Sequence, residues 1–289
     1  PYNQPGDYVR PTTCPQGHYC PESTNAPNAF PCPNGTFSND TRGITSLENC
    51  TECPPGHFCD TVGSSEPTGK CDAGYYCARG ANVSNPGNET EGSEDIGGPC
   101  PLGRYCLTGS GDSRGIGCPP GTYMDEFGAT SVTQCMPCEA GHYCPNIGTN
   151  ISTGAGPCDI GYYCQGGNAE AAKIQFRCPP GTYCDAGSTY PKPVPGGEYQ
   201  PAAGTNTYLQ CPPGHYCPEG SQIPRRCLAQ HVCPAGSAYS LVCPPGSFAD
   251  VKRTSGMSNV SECTLCPAGK YCTNGTIAGD CAAGRFCEF

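Results

Sequence analysis

A cysteine, two variable residues, a glycine, one variable residue and an aromatic recur along the whole chain, usually closed by a second cysteine. A unit that short cannot bury a core by itself, so the recurrence dictates a chain of small modules that lean on their neighbours. The motif begins at Cys14, Cys32, Cys53, Cys71, Cys100, Cys118, Cys138, Cys158, Cys178, Cys211, Cys227, Cys243, Cys266 and Cys281. Thirteen of these fourteen copies keep the glycine, and the same thirteen carry Tyr or Phe two positions after it, from Tyr19 to Phe286. The exception is Cys227–Cys233, where Gln230 and Val232 take those places.

Each motif position has a physical task. Proline follows the first cysteine in most copies and presets φ for a turn, while the glycine accepts the positive φ that a type II turn demands. The aromatic is expected to pack on its own disulfide and on the next unit, giving a line of small cores. One ring so buried contributes about 1.5–3 kcal/mol.

Eleven copies close with a second cysteine after five intervening residues: Cys20, Cys59, Cys77, Cys106, Cys144, Cys164, Cys184, Cys217, Cys233, Cys272 and Cys287. The outer spacing varies widely: 11 residues separate Cys59 from Cys71, and 26 separate Cys184 from Cys211. A constant inner spacing beside a variable outer one favours closure within the doublet. The copies at Cys32, Cys118 and Cys243 lack the second cysteine and run into a longer loop ending in C-x-x-C, which leaves Cys50, Cys135 and Cys263 as natural partners. A fourth long-loop copy, Val194-Pro-Gly-Gly-Glu-Tyr199, has lost its first cysteine, and its C-x-x-C has shrunk to Cys211. Partners are expected to vanish together. A second scheme, joining each doublet's second cysteine to the next copy's first, stays open but strands Cys14 and Cys287. In the local scheme each small loop contributes roughly 2 kcal/mol and each long one about 3 kcal/mol.

Twenty-eight cysteines in 289 residues place the chain in an oxidising compartment, outside the cell or in the secretory lumen. Zinc needs paired C-x-x-C or histidine at ligand spacing, and neither pattern is present. Gly and Pro supply 74 residues with no triplet period, a composition that without cross-links reads as disorder. The sequence therefore predicts small disulfide-rich repeats over residues 1–289: an elongated tandem array of about fourteen units, rich in short β-hairpins and loops and poor in helix. Long-loop units fall near 32–59, 118–144, 194–217 and 243–272. Solution scattering should then give a radius of gyration well beyond the roughly 19 Å of a compact chain this long. A net charge of −10 with no basic run argues against nucleic acid, and no apolar stretch is long enough to span a bilayer.

Cys118-Pro-Pro-Gly-Thr-Tyr-Met-Asp-Glu-Phe-Gly-Ala-Thr-Ser-Val-Thr-Gln-Cys135-Met-Pro-Cys138-Glu-Ala-Gly-His-Tyr-Cys144 resembles the ephrin-receptor-like cysteine-rich repeat. Cys32 to Cys59 and Cys243 to Cys272 are similar to it as well. That repeat is distantly similar to modules of tumour necrosis factor receptors and to EGF-like domains. The resemblance implies extended ectodomains of loops and short hairpins, as found in receptors, adhesion molecules and large protist surface proteins. The doublet-only copies depart from the family pattern.

Eight N-x-[ST] sequons, at Asn34, Asn39, Asn49, Asn82, Asn88, Asn150, Asn259 and Asn274, lie in Gly-rich or polar loops and are expected to carry N-linked glycan, Asn49 least of all because it abuts Cys50. Pro-Pro steps such as Pro54-Pro55 and Pro212-Pro213 read as turn prolines, with hydroxyproline-linked sugar the alternative. All five histidines (His18, His57, His142, His215, His231) stand two residues before a doublet's second cysteine and read as turn residues. The acidic loops Glu89–Asp95 and Asp125-Glu126 match no EF-hand spacing and read as solvated linkers. No Walker loop, G-x-S-x-G, HExxH or nucleophile–base set is visible, and every cysteine is wanted for a bond, so neither enzyme, metal site nor cofactor is expected. Two functions fit an extracellular protein delivered by the secretory pathway. The first is a structural glycoprotein, a segment of a cell-surface, matrix or flagellar-hair-like filament. The second is a ligand-binding or adhesion ectodomain of a receptor. Repeat regularity favours the first, with the chain itself as partner, head-to-tail or laterally. Joining Phe289 to Pro1 would leave 15 residues between doublets, within the range of 8 to 26 found inside the chain, and stacked ends would bury Phe286 and Phe289.

Overall fold

The computed structural model describes residues 11–87, 96–112, 114–285 and 287. Two compact units divide the chain, one within Pro1–Cys138 and Cys144–Gly154, the other within Glu139–Tyr143 and Ala155–Phe289. Among the described residues there is no α-helix; eleven antiparallel two-stranded sheets and four single-turn 3-10 helices carry the regular structure. This is the disulfide-rich, hairpin-rich, helix-poor class that the repeats predict.

Every hairpin starts from the motif turn. His57 N donates to Pro54 O at 3.1 Å and Thr122 N to Pro119 O at 3.1 Å, so the proline opens the turn and the glycine takes its third place. Motif glycines there hold φ between 76° (Gly103) and 92° (Gly197), as a type II turn requires. The next two residues form the outgoing strand, and the return strand lies just ahead of the following copy. His57–Phe58 thus pairs with Gly69–Lys70, and Thr182–Tyr183 with Lys192–Pro193.

Fourteen disulfides join all 28 cysteines, and none is free. Eleven close the C-x5-C doublets, as in Cys14–Cys20, Cys53–Cys59 and Cys211–Cys217. The other three, Cys32–Cys50, Cys118–Cys135 and Cys243–Cys263, close the long loops. Linkage of a second cysteine to the next copy's first does not occur.

The expected line of small cores centres on sulfur, not on rings. Rings do pack on the next unit as expected: Phe58 lies against Cys71, Cys77 and Ala81, and Tyr105 against Cys118, Met124 and Ala129. The fully buried side chains are chiefly cysteines, from Cys32 to Cys233, whereas Tyr76, Tyr105, Tyr143 and Tyr183 are only half-buried. Strand alternation explains this: ring and second cysteine are consecutive and point to opposite faces, so burying the disulfide turns the ring outward. The ring settles instead on a neighbouring strand or loop. Tyr163 meets Phe176 at 5.5 Å between centroids, and Tyr183 meets Tyr208 at 5.3 Å.

Backbone hydrogen bonds do the joining. In the first unit, Gly56 N donates to Cys77 O, Cys71 N to Gly56 O, Cys59 N to Ala81 O and Gly80 N to Cys53 O, each at 2.9 Å. The second unit repeats the set: Gly181 N to Gln200 O at 2.8 Å, Val194 N to Gly181 O at 3.0 Å, Cys184 N to Thr205 O at 3.0 Å, and Gly204 N to Cys178 O at 2.8 Å. Four bonds therefore tie a copy to the next and satisfy polar groups that the small core would otherwise bury unpaired. Around Gln230 the pattern changes. Val232 N bonds Leu241 O and Met257 N bonds His231 O, both at 2.8 Å, and Val232, Cys243, Ala249 and Met257 form a buried apolar cluster.

A second glycine, three or four residues past the doublet, serves the same packing. A Cβ on Gly35 would stand 2.5 Å from Gly80 O, and one on Gly141 2.5 Å from Gly187 O. Both pairs link a copy to the next but one, at a distance only bare backbone allows.

Candidate functional site

With the cysteines absorbed in cross-links, the chemistry left to this protein is that of its loops and hairpin edges. Four long loops are built to one plan, and three share a helical turn. Single 3-10 turns at Leu47–Asn49, Val132–Gln134 and Val260–Glu262 deliver Cys50, Cys135 and Cys263 to their partners. Ser131 with Gln134, and Asn259 with Glu262, form capping boxes on the last two. The place of the second cysteine stays buried in all four copies, filled by Ser38, Met124, Gln200 and Ala249. Gln200 does more than fill it. Its Oε1 accepts Ala202 N at 2.9 Å and its Nε2 donates to Thr207 O, so an amide pins the one long loop without a disulfide.

Asn34, Asn39, Asn49, Asn82, Asn150, Asn259 and Asn274 are all exposed; Asn88 lies outside the described residues. Two have structural work besides. Asn49 Oδ1 accepts from Ser46 Oγ at 2.9 Å, and Asn259 Oδ1 accepts Ser261 N at 3.0 Å. Both engagements use the amide oxygen rather than the nitrogen that carries sugar.

The histidines sit on the turns. His18, His57, His215 and His231 each place Nδ1 between 3.0 and 3.4 Å from the carbonyl two residues back. Thr36, Thr122 and Thr182, at the same position, donate Oγ1 to the turn proline's carbonyl at 2.6–2.7 Å. The two residue types thus close the same turn by different bonds. His142 Nδ1 is buried without such a partner.

Asp125 and Glu126 are exposed, and Glu89–Asp95 lies outside the described residues. Among the described residues, no three His, Cys, Asp or Glu side chains gather where they could hold a metal ion. Three carboxylates titrate below their ordinary range. Asp60 is held down chiefly by the Thr68 hydroxyl, Asp112 by the Arg114 backbone N–H, and Glu262 first by Ser258 N–H and then by the Arg253 side chain. All are solvent-facing groups stabilised as anions by local donors. An open cleft of about 840 Å³ in the first unit is lined by Tyr76, Phe127, Asp112, Arg114 and several glycines and prolines. Its two charged side chains are already engaged with each other at 3.2 Å.

No helix among the described residues is long and apolar enough to cross a membrane. No protein-family model matches the chain, and no curated protein matches it. The likeness to the ephrin-receptor-like repeat therefore rests on the motif itself. Sequence reasoning missed the second glycine, the 3-10 turns and the role of Gln200. The first two had signals in plain view: Gly three or four residues after most doublets, and Ser-x-x-Gln or Asn-x-x-Glu ahead of two of the loop cysteines.

Proposed function

We propose that this chain is a non-catalytic structural glycoprotein of the extracellular space, a segment of a cell-surface, matrix or flagellar-hair-like filament. The dense cross-linking supports an extracellular location, since fourteen disulfides persist only in an oxidising compartment. The observation that carries the filament reading is the repeated four-bond junction. The same four backbone bonds recur at most junctions within each unit, the one around Gln230 being the clearest departure, and an array whose junctions are largely interchangeable can be lengthened without redesign. The exposed sequons fit a glycan-coated fibre. The receptor-ectodomain reading would need a unit set apart by its own insertion, and the repeats offer little of that kind.

Immunogold electron microscopy with antibodies to the native protein tests the reading. Label should decorate fibres or coat at regular intervals. Label confined to the plasma membrane, with no fibre carrying it, would sink the proposal.

A further inference from the structure

Charge and sequons are unevenly spread along the chain. Residues 1–154 hold six Lys or Arg against sixteen Asp or Glu, whereas residues 155–289 hold nine of each, so the entire net charge of −10 belongs to the first half. No sequon begins between Asn88 and Asn150, nor between Asn150 and Asn259. Sugar at the sequons would leave those two stretches bare.

In the second bare stretch, five side chains gather on two hairpins that touch. A Cβ on Gly181 would collide with Gly220 O, and one on Gly220 would lie 3.8 Å from Pro193 Cβ. Tyr190 and Ile223 hold the same place on these hairpins, two residues ahead of the return strands Lys192–Pro193 and Arg225–Arg226. They are 64% and 70% exposed. Lys192 lies 5.8 Å over the Tyr183 ring and 3.5 Å from Asp185, while Arg225 and Arg226 stand opposite Tyr216 and His215. Neither arginine has a carboxylate within 4.0 Å among the described residues. Exposed Tyr and Ile beside unpaired Arg make the composition of a binding hot spot more than of a solvated edge.

The first bare stretch carries the complementary chemistry. Asp125 and Glu126 are exposed and unpaired among the described ion pairs, and Phe127 beside them is 66% exposed. We propose that the Tyr190, Ile223, Arg225 and Arg226 face binds the Asp125–Phe127 loop of a second copy of this chain. This rests on the filament reading above and supplies its contact. Two different surfaces meet, and a heterologous contact that does not close on itself propagates into an open filament.

Sedimentation velocity on the full, secreted chain at rising concentration and two salt levels tests it. The unmodified chain should associate, more weakly at high salt as charge pairing is screened. Arg225→Glu with Arg226→Glu, and separately Asp125→Lys with Glu126→Lys, should each weaken association at least tenfold. Mixing these two variants should restore growth as an alternating filament, because each surface of one is complementary in charge to the opposite surface of the other. All four reversals in one chain should restore growth by the same pairing. Counting thiols as zero in each variant shows that its folding is intact. Variants that assemble like the unmodified chain, a mixture that fails to pair, or an unmodified chain monomeric throughout would each overturn the interface. The fibre label stands apart: labelled fibres with a failed interface leave the filament reading in place, and a sound interface without labelled fibres defeats that reading alone.

Discussion

At the scale of single residues, the motif glycine answers two demands, and a pair of substitutions separates them. Gly181 and Gly269 share φ near +80°, at 80° and 79°. Alanine in that conformation costs about 1–2 kcal/mol at either site. Of the two, Gly181 also faces a neighbour, since its Cβ would strike Gly220 O, while among the described residues nothing lies within 4 Å of a Cβ on Gly269. Gly181→Ala should therefore lose a further increment of about 1–3 kcal/mol, the usual toll of overpacking. Urea unfolding with disulfides intact measures both, and equal losses would show the contact to be unimportant. Glu262 offers a second residue-scale test. Donors at Ser258, Arg253 and Asn259 hold its carboxyl below the ordinary 4.5. A lowered folded value means that its stabilisation is complete above the unfolded value and disappears as pH falls through the folded one. A carboxyl titration by NMR should place its midpoint below 4.5, and Glu262→Gln should remove that acid-sensitive portion of stability.

At the scale of elements, the long loop is one design closed by two chemistries. Cys50, Cys135 and Cys263 each stand directly ahead of a return strand, at Thr51, Met136 and Thr264. Tyr208 stands in that same place ahead of Leu209–Gln210, and Val194 occupies the place of the first cysteine. Val194→Cys with Tyr208→Cys should consequently form a fifteenth disulfide, visible in the mass of the non-reduced protein. A loop of that length should stabilise by about 3 kcal/mol. Two free thiols in the folded double variant would refute the equivalence. In the unmodified protein, peptide mapping should recover Cys53–Cys59, and finding Cys59 joined to Cys71 would contradict the fold. The hairpin was legible in the sequence because its determinants are local: a turn proline, a glycine at positive φ and a fixed five-residue span. The junction was not legible, since backbone amides of Gly56 or Cys71 bond alike whatever the side chains. Its trace is a glycine such as Gly80, which holds a φ of 72° outside the motif turn and whose carbonyl comes so near Gly35 that no Cβ fits there. The outward swing of Tyr143 or Tyr183 escaped for a different reason: ring and disulfide compete for one interior, and strand alternation awards it to sulfur.

At the scale of the molecule, cysteine takes the place that leucine and isoleucine hold in ordinary domains. The largest fully buried side chains other than cysteine are Met257, Val194, Val232 and Pro86, three of them in the second unit. The apolar clusters are correspondingly small, with Cys71, Cys77 and Ala81 making up one and Cys118, Met124 and Ala129 another. Reduction therefore removes core and cross-link together, which is not so in a protein whose disulfides decorate an aliphatic interior. Released loops regain the conformational freedom that each bond had suppressed, roughly 2–3 kcal/mol per loop, and the backbone junctions alone do not offset ordering that many residues. Full reduction without denaturant should expose all 28 thiols, abolish the near-ultraviolet signal of the tyrosines and open both units to protease. Because the Met257 and Val232 cluster retains some aliphatic packing, the segment around it should be the last to yield as reductant is raised stepwise. Limited proteolysis read by mass spectrometry follows that order directly. A fully reduced chain that still resists protease throughout would show that something other than its disulfides holds the fold.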